Sequence, residues 1–261
     1  MTDKKTVCVW LARRLRAVAA TLLLGWMPPA LGDSDLYRQI PPTLDGIGKS
    51  YMGREIAQVM GFQGAQWLER EEREQEERGD LLLRELALKP GMDVMDVGAG
   101  TGYYSRRIAT LVGPKGKVYA IDVQAEMVDM LNAVSKQPAF TNVKPILGTE
   151  KSVALPDGVA DLAIMVDVYH ELEFPSEMLE SIKRALRPGG RIVFVEYRAE
   201  DPKVPIKPVH KMSEAQIRRE AAQNGLIWVR TAHTLPWQHV VIFKTNNVDQ
   251  AQWIHHLARS V

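Results

Sequence analysis

Gly98, Gly100 and Gly102 alternate in the spacing G-x-G-x-G, directly after an apolar run over residues 92–97. Glycine lets a chain turn at positive φ and lets a ligand approach the backbone with no Cβ in the way. A helical pattern opens straight afterwards, over residues 101–111. Strand, glycine turn and helix in that order put the loop at the carboxyl edge of a sheet strand, where α/β folds hold nucleotide-like ligands. The spacing narrows the ligand further. A dinucleotide fingerprint needs its third glycine where this chain has Tyr103, and no Gly-Lys-Ser/Thr is present to make a phosphate-cradling loop. Asp96, two residues before the first glycine, would sit badly beside a phosphate and suits a ligand that carries an amino cation.

From residue 91 strand and helix patterns alternate. Strands are expected over residues 92–97, 117–122, 143–147, 160–168, 191–197, 227–234 and 240–243. Helices are expected over 101–111, 125–134, 175–186, 213–224 and, amphipathic and terminal, 250–259. That order argues βαβ units and a mostly parallel sheet. Pro188, Gly189 and Gly190 break the fourth strand–helix unit, and Ser213 with Gln216 forms a capping-box signature. Upstream, residues 33–50 read as an extended lead-in, 51–61 as a short helix and 64–88 as a longer one. Within the charged middle of that longer helix, Glu69–Arg73 and Glu74–Arg78 are spaced as favourable i,i+4 pairs, and Trp67 reads as a core residue.

The N-terminus has a different character. Lys4, Lys5, Arg13, Arg14 and Arg16 precede an uncharged run over residues 17–27, then Pro28, Pro29 and a small-residue segment, Ala30 to Gly32. This is the tripartite pattern of a secretory signal peptide, and the apolar run is shorter than the roughly 20 residues a membrane-spanning helix needs. The expectation is export to the periplasm or medium; the alternative is a cytoplasmic chain with an unusual start. Cleavage after residue 32 would turn the net charge from +1 to −3 and remove Cys8, the one cysteine. A single cysteine excludes a disulfide framework and zinc-finger spacing, and no metal site is expected. A net charge this near zero, with no basic stripe, gives no case for nucleic-acid binding.

The glycine loop and the segments after it resemble the class I S-adenosylmethionine-dependent methyltransferases. Asp96, Gly98, Gly100 and Gly102 match that family's first motif. Asp122 ends the next strand 20 residues after Gly102, where a ribose-binding acid belongs. Residues 148–150 precede a turn at 155–158 where the family contacts adenine, but Thr149 stands where its acid usually is, which leaves Glu150 or Ser152 for that contact. Residues 161–171, with Asp167, and 186–191 resemble the fourth strand with its loop and the turn before the fifth. The resemblance covers residues 90–245. It implies S-adenosylmethionine as cofactor and a Rossmann-like, doubly wound, mostly parallel seven-stranded sheet with an antiparallel last strand and an N-terminal helical lid. The chain would then divide into a signal peptide (1–32), a lead-in and lid (33–88) and a methyltransferase domain (89–261).

Methyl transfer at a sulfonium depends mostly on positioning, and some acceptors also need a base. Candidates come from the strand ends: Tyr169 and His170 after the fourth, Glu196 at the end of the fifth. His170 could take a proton, orient substrate, or serve structure alone. Arg54, Arg198 and His210 are candidates for holding the acceptor, with Arg54 able to grip a carboxylate by two prongs. The expected acceptor is a small polar molecule rather than a polymer. The rival reading is an exported small-molecule binding protein on the same scaffold; the intact set Asp96, Gly98, Gly100, Gly102 and Asp122 argues against it.

Overall fold

The computed structural model describes residues 36–245. The signal-peptide reading of residues 1–32 and the terminal helix at 250–259 lie outside the described residues.

Seven strands form one sheet: β4 (Val94–Val97), β5 (Val118–Asp122), β6 (Val143–Leu147), β7 (Ala160–Val166), β8 (Leu186–Tyr197), β9 (Leu226–Ala232) and β10 (Gln238–Thr245). Their order across the sheet is β6-β5-β4-β7-β8-β10-β9. Pairing is parallel from β6 through β8, and β10 alone runs antiparallel, between β8 and β9. This is the expected doubly wound sheet, reversing direction at β4, so the ends of β4 and its neighbours open a crevice.

Successive side chains on a strand face opposite sides, and the core follows that period of two. Val94, Leu162, Ile164, Val193 and Val195 pack with Leu82 of α3 (Gly79–Glu85), Ile108 of α4 (Tyr103–Val112) and Leu131 of α5 (Ala125–Ser135). Their neighbours Met95, Ala163, Met165 and Phe194 pack on the other face with Met178 and Ile182 of α6 (Pro175–Ala185) and Ile217 of α7 (Glu214–Gln223). The capping box is formed, with Ser213 Oγ accepting from the Gln216 amide at 3.1 Å.

The N-terminal segment departs from expectation. Residues 51–61 are not a helix. β1 (Tyr37–Gln39), β2 (Gly46–Tyr51) and β3 (Arg54–Ala57) make a separate antiparallel meander over Leu36, Tyr51 and Ile56. Met52 and Gly53, both at positive φ, form the two-residue turn that pairs Tyr51 with Arg54. Two positive-φ residues twist a hairpin in the right sense. The expected helix over 64–88 is also broken, into α1 (Ala65–Leu68), α2 (Arg73–Glu77) and α3. Arg78, left-handed at φ 53°, separates the last two. Neither expected i,i+4 pair forms. Glu69 reaches Arg106, Glu74 accepts from the Tyr103 hydroxyl, and the pair that does form is the buried Arg73–Glu77.

Candidate active site

A cavity of about 560 Å³ opens at the carboxyl ends of β4, β5, β7 and β8, covered by residues 59–68 and 205–210. Gly98 and Gly100 form part of its wall. Gly98 stands at φ 71°, and a Cβ there would lie 2.5 Å from Val168 Cγ2. The amide of Gly100, at φ 54°, donates to Asp122 Oδ2 at 2.9 Å, and Asp122 Oδ1 accepts from the Gln124 amide at 3.0 Å. Burial raises the Asp122 pKa, with these amides opposing the rise. The carboxylate keeps acceptor capacity for a ligand hydroxyl. The Gln124 side chain ties the cover down, accepting from the Phe62 amide at 2.8 Å and donating to the Met60 carbonyl at 3.0 Å.

Asp167 leaves β7 at φ 54° and also lines the cavity. Its Oδ2 accepts from Gln238 Nε2 at 3.1 Å, while Oδ1 is buried with no partner. Burial, then the neighbouring Glu77 and Glu196 carboxylates, push its pKa well up. A glycine turn and the Asp122 carboxylate on one side of the cavity fit a ligand with hydroxyl and amino groups. The residues present therefore suit the expected cofactor.

Opposite them sits a chain of polar side chains. His170 Nδ1 lies 2.6 Å from Glu196 Oε2, and His170 Nε2 lies 3.1 Å from His210 Nδ1. Glu196 is wholly buried, its Oε1 accepting from the Tyr169 amide at 2.8 Å. Burial pulls the His170 pKa down, but the charge and hydrogen bond of Glu196 prevail, so it is raised. Glu171 completes this corner of the wall.

Several expected site residues lie elsewhere. Asp96 faces α4 rather than the cavity, because β4 alternates Val94 and Asp96 to one side; its carboxylate accepts from Ser105 Oγ at 2.5 Å. Gly102 packs on Leu131 at the start of α4 and does not reach the wall. Glu150 is exposed and Thr149 lines the cavity in its place. Tyr169 is a core residue, edge-on to Phe194 at 4.7 Å between centroids. Arg54 is not free for an acceptor: its guanidinium grips Glu220 at 2.9 and 3.1 Å and donates to the His170 carbonyl at 3.0 Å. Arg198 holds the β9–β10 turn through the carbonyls of Leu235, Pro236 and Gln238. His210 is in the wall as expected.

Sequence alone does not reveal Met60, Trp67, Leu68 and Arg73 as wall residues, because Met60 falls in the expected helix over 51–61 and the others in the expected helix over 64–88, with Trp67 in the core. Arg73 and Glu77 are four apart in the charged run, a signal that is present but in the less favourable order. A wider, more open groove of about 650 Å³, between α6 and the turn after α7, contains Ser152, the second candidate for the adenine contact, and no other candidate site residue.

A glycine turn on a doubly wound sheet, with an acid holding it, defines an α/β enzyme of the nucleotide-binding type. The family model described as "Methyltransferase domain" matches residues 88–255, and the chain belongs to that family. Over 108 residues it is 35% identical to a protein-L-isoaspartate O-methyltransferase of Methanothrix thermoacetophila, covering 41% of this chain and 49% of that one. Over 111 residues it is 27% identical to the ubiquinone/menaquinone biosynthesis C-methyltransferase of Hahella chejuensis, covering 42% and 45%. The chain thus spans about half the length of these curated relatives. The crystal structure of an S-adenosylmethionine-dependent methyltransferase from Aquifex aeolicus superposes with a TM-score of 0.68 at 29% identity, over 72% of this chain and 100% of that one.

Proposed function

We propose that this chain transfers the methyl group of S-adenosylmethionine to a small molecule bound between the cover segments and the His170–His210 corner. The Asp122-braced glycine turn carries the reading, because it leaves backbone and carboxylate facing one cavity. The bound cofactor supplies an electrophilic methyl on a cationic sulfur. Gly98 and Gly100 would line its path, Asp122 would accept hydrogen bonds from its ribose hydroxyls, and Asp167 stands in the same wall. The acceptor's nucleophilic atom forms the new bond to carbon as the carbon–sulfur bond breaks. That electron pair stays on sulfur, and the acceptor's proton leaves towards His170 Nε2, whose other nitrogen is held by Glu196.

The cover meets the cavity mostly through apolar side chains, Val59, Met60, Trp67, Pro205 and Ile206, with Lys207 and His210 as its polar groups. We therefore narrow the small polar acceptor to one with an apolar body and a single polar, proton-bearing group. Of the groups expected to hold it, His210 is retained.

The test is a metabolite screen with S-adenosylmethionine, reading formation of S-adenosylhomocysteine. Turnover on an amphipathic small molecule is expected, and His170→Ala should lower it by roughly 10²–10⁴ while cofactor affinity stays within a factor of two or so. Tight cofactor binding with no turnover on any acceptor would instead favour a binding protein on the same scaffold.

A further inference from the structure

The corner that faces the acceptor has a second property. His170 Nε2, His210 Nδ1 and Glu171 Oε1 converge, at 3.1 Å between the nitrogens, 3.5 Å from His210 to Glu171 and 3.7 Å from His170 to Glu171. A triangle with those sides is acute, and the point equidistant from its corners lies about 2.0 Å from each. Zinc bonds imidazole nitrogen and carboxylate oxygen at about 2.0–2.2 Å, so a cation a few tenths of an ångström out of that plane meets all three at bonding distance. Calcium, at about 2.3–2.6 Å and wanting six or more oxygens, does not match.

Two further observations point the same way. Metal-binding histidines donate their other ring N–H to a carboxylate, which fixes the tautomer and aims the free lone pair. Glu196 stands in that relation to His170, at 2.6 Å, and is itself fixed by the Tyr169 amide. The corner also gathers two carboxylates, Glu171 and buried Glu196, around imidazoles that are neutral when they act as ligands. Arg54, which donates to the His170 carbonyl, has its guanidinium engaged by Glu220. A divalent cation here would take over from the proton as the partner of this negative charge.

We infer that His170, Glu171 and His210 form a binding site for a divalent first-row transition cation of the zinc class, with Glu196 as the positioning residue and a coordination position open to the cavity. Two imidazoles and one carboxylate are a donor set such cations favour over magnesium. The open position would take an acceptor's thiol or hydroxyl; with the cation bound, His170 Nε2 is a ligand, and the cation rather than that nitrogen would ease loss of the acceptor's proton. That use rests on the methyl-transfer reading; the binding itself does not.

The experiment uses the full chain, free of any histidine tag and stripped with chelator, titrated with zinc chloride by calorimetry and with cobalt chloride by visible absorption. One saturable equivalent is expected, with cobalt d–d bands of a four- or five-coordinate site. His210→Ala and Glu171→Gln should each weaken zinc binding at least tenfold, and Glu196→Gln by roughly 10–100-fold. His210 is partly exposed in its loop, so circular dichroism should report an unchanged fold for that variant. Among the described residues one other group, Glu214, His233 and His239, comes within reach of a common cation. Zinc affinity unchanged in both His210→Ala and Glu171→Gln would place any bound ion elsewhere and overturn the inference, as would the absence of saturable binding. Titrating the same samples with S-adenosylmethionine separates this result from failure of the methyl-transfer reading.

Discussion

Replacing Gly98 by alanine isolates the close approach on which the cofactor loop depends. At φ 71° an alanine bears a left-handed penalty of about 1–2 kcal/mol. Its Cβ would also lie 2.5 and 2.6 Å from the two methyls of Val168 and 3.1 Å from its Cβ. A β-branched side chain has no flexible end to swing away, so overpacking adds about 1–3 kcal/mol. The expected total is about 2–5 kcal/mol. Gly91 is the control: it is left-handed at φ 86°, but a methyl placed there would meet nothing within 4 Å, so Gly91→Ala should lose only the first part. Urea unfolding followed by circular dichroism gives both values, and Val168→Ala in the Gly98→Ala background should recover the clash as a coupling of about 1–3 kcal/mol. Equal destabilisation at Gly91 and Gly98, with no coupling to Val168, would refute the reasoning.

Burial pushes the Asp96 carboxyl up to about 6 from its ordinary 3.8, against the opposing Ser105 hydrogen bond and Arg73 charge. Because the folded value is the higher one, its contribution is fully favourable below about pH 4 and is lost as pH rises to about 6, an effect on the order of 3 kcal/mol. Asp96→Asn should therefore match wild type near pH 4 and exceed it in stability above pH 6; parallel urea curves at pH 4, 5, 6 and 8 check this, and a constant difference would contradict it. Glu77 is 1% exposed and accepts from Arg70, Arg73 and the Tyr197 hydroxyl, so Glu77→Ala strands the buried Arg73 and should destabilise by about 3–5 kcal/mol in the same assay. Mass spectrometry of the chain recovered from its native cell should find a mature N-terminus near Asp33; an intact cytosolic chain from Met1 would exclude cleavage.

The sheet is readable from sequence because parallel strands buried on both faces are continuous apolar runs, as in β7, and because Gly98 to Gly102 mark the first turn. The meander at residues 37–57 is not. Its turn is Met52-Gly53 rather than one of the Asn-Gly or Asp-Gly pairs that announce a hairpin, and it packs against its own small cluster. Asp122, Asp167, His170 and His210 are legible as residues of the cavity wall because each ends a strand or lies in the loop beyond one. Asp96 sits one layer away from its expected place, since a motif gives position along a strand and only the pleat says which face. Arg54 looks available because Glu220, 166 residues further on, is brought to it only by folding. Trp67 and Leu68 are wall residues in a helix that ends at Leu68, where sequence alone would continue it to residue 88.

Calorimetric titration of the full chain with S-adenosylmethionine, on wild type and Asp122→Ala with folding verified by circular dichroism, bears most directly on the cavity at the strand ends as the cofactor site. Wild type should show one saturable site. Asp122→Ala should bind more weakly by about 1.5–3 kcal/mol for each charge-assisted hydrogen bond removed, roughly 10–150-fold in Kd for one. No saturable binding to folded wild type, or an unchanged Kd in folded Asp122→Ala, would contradict it.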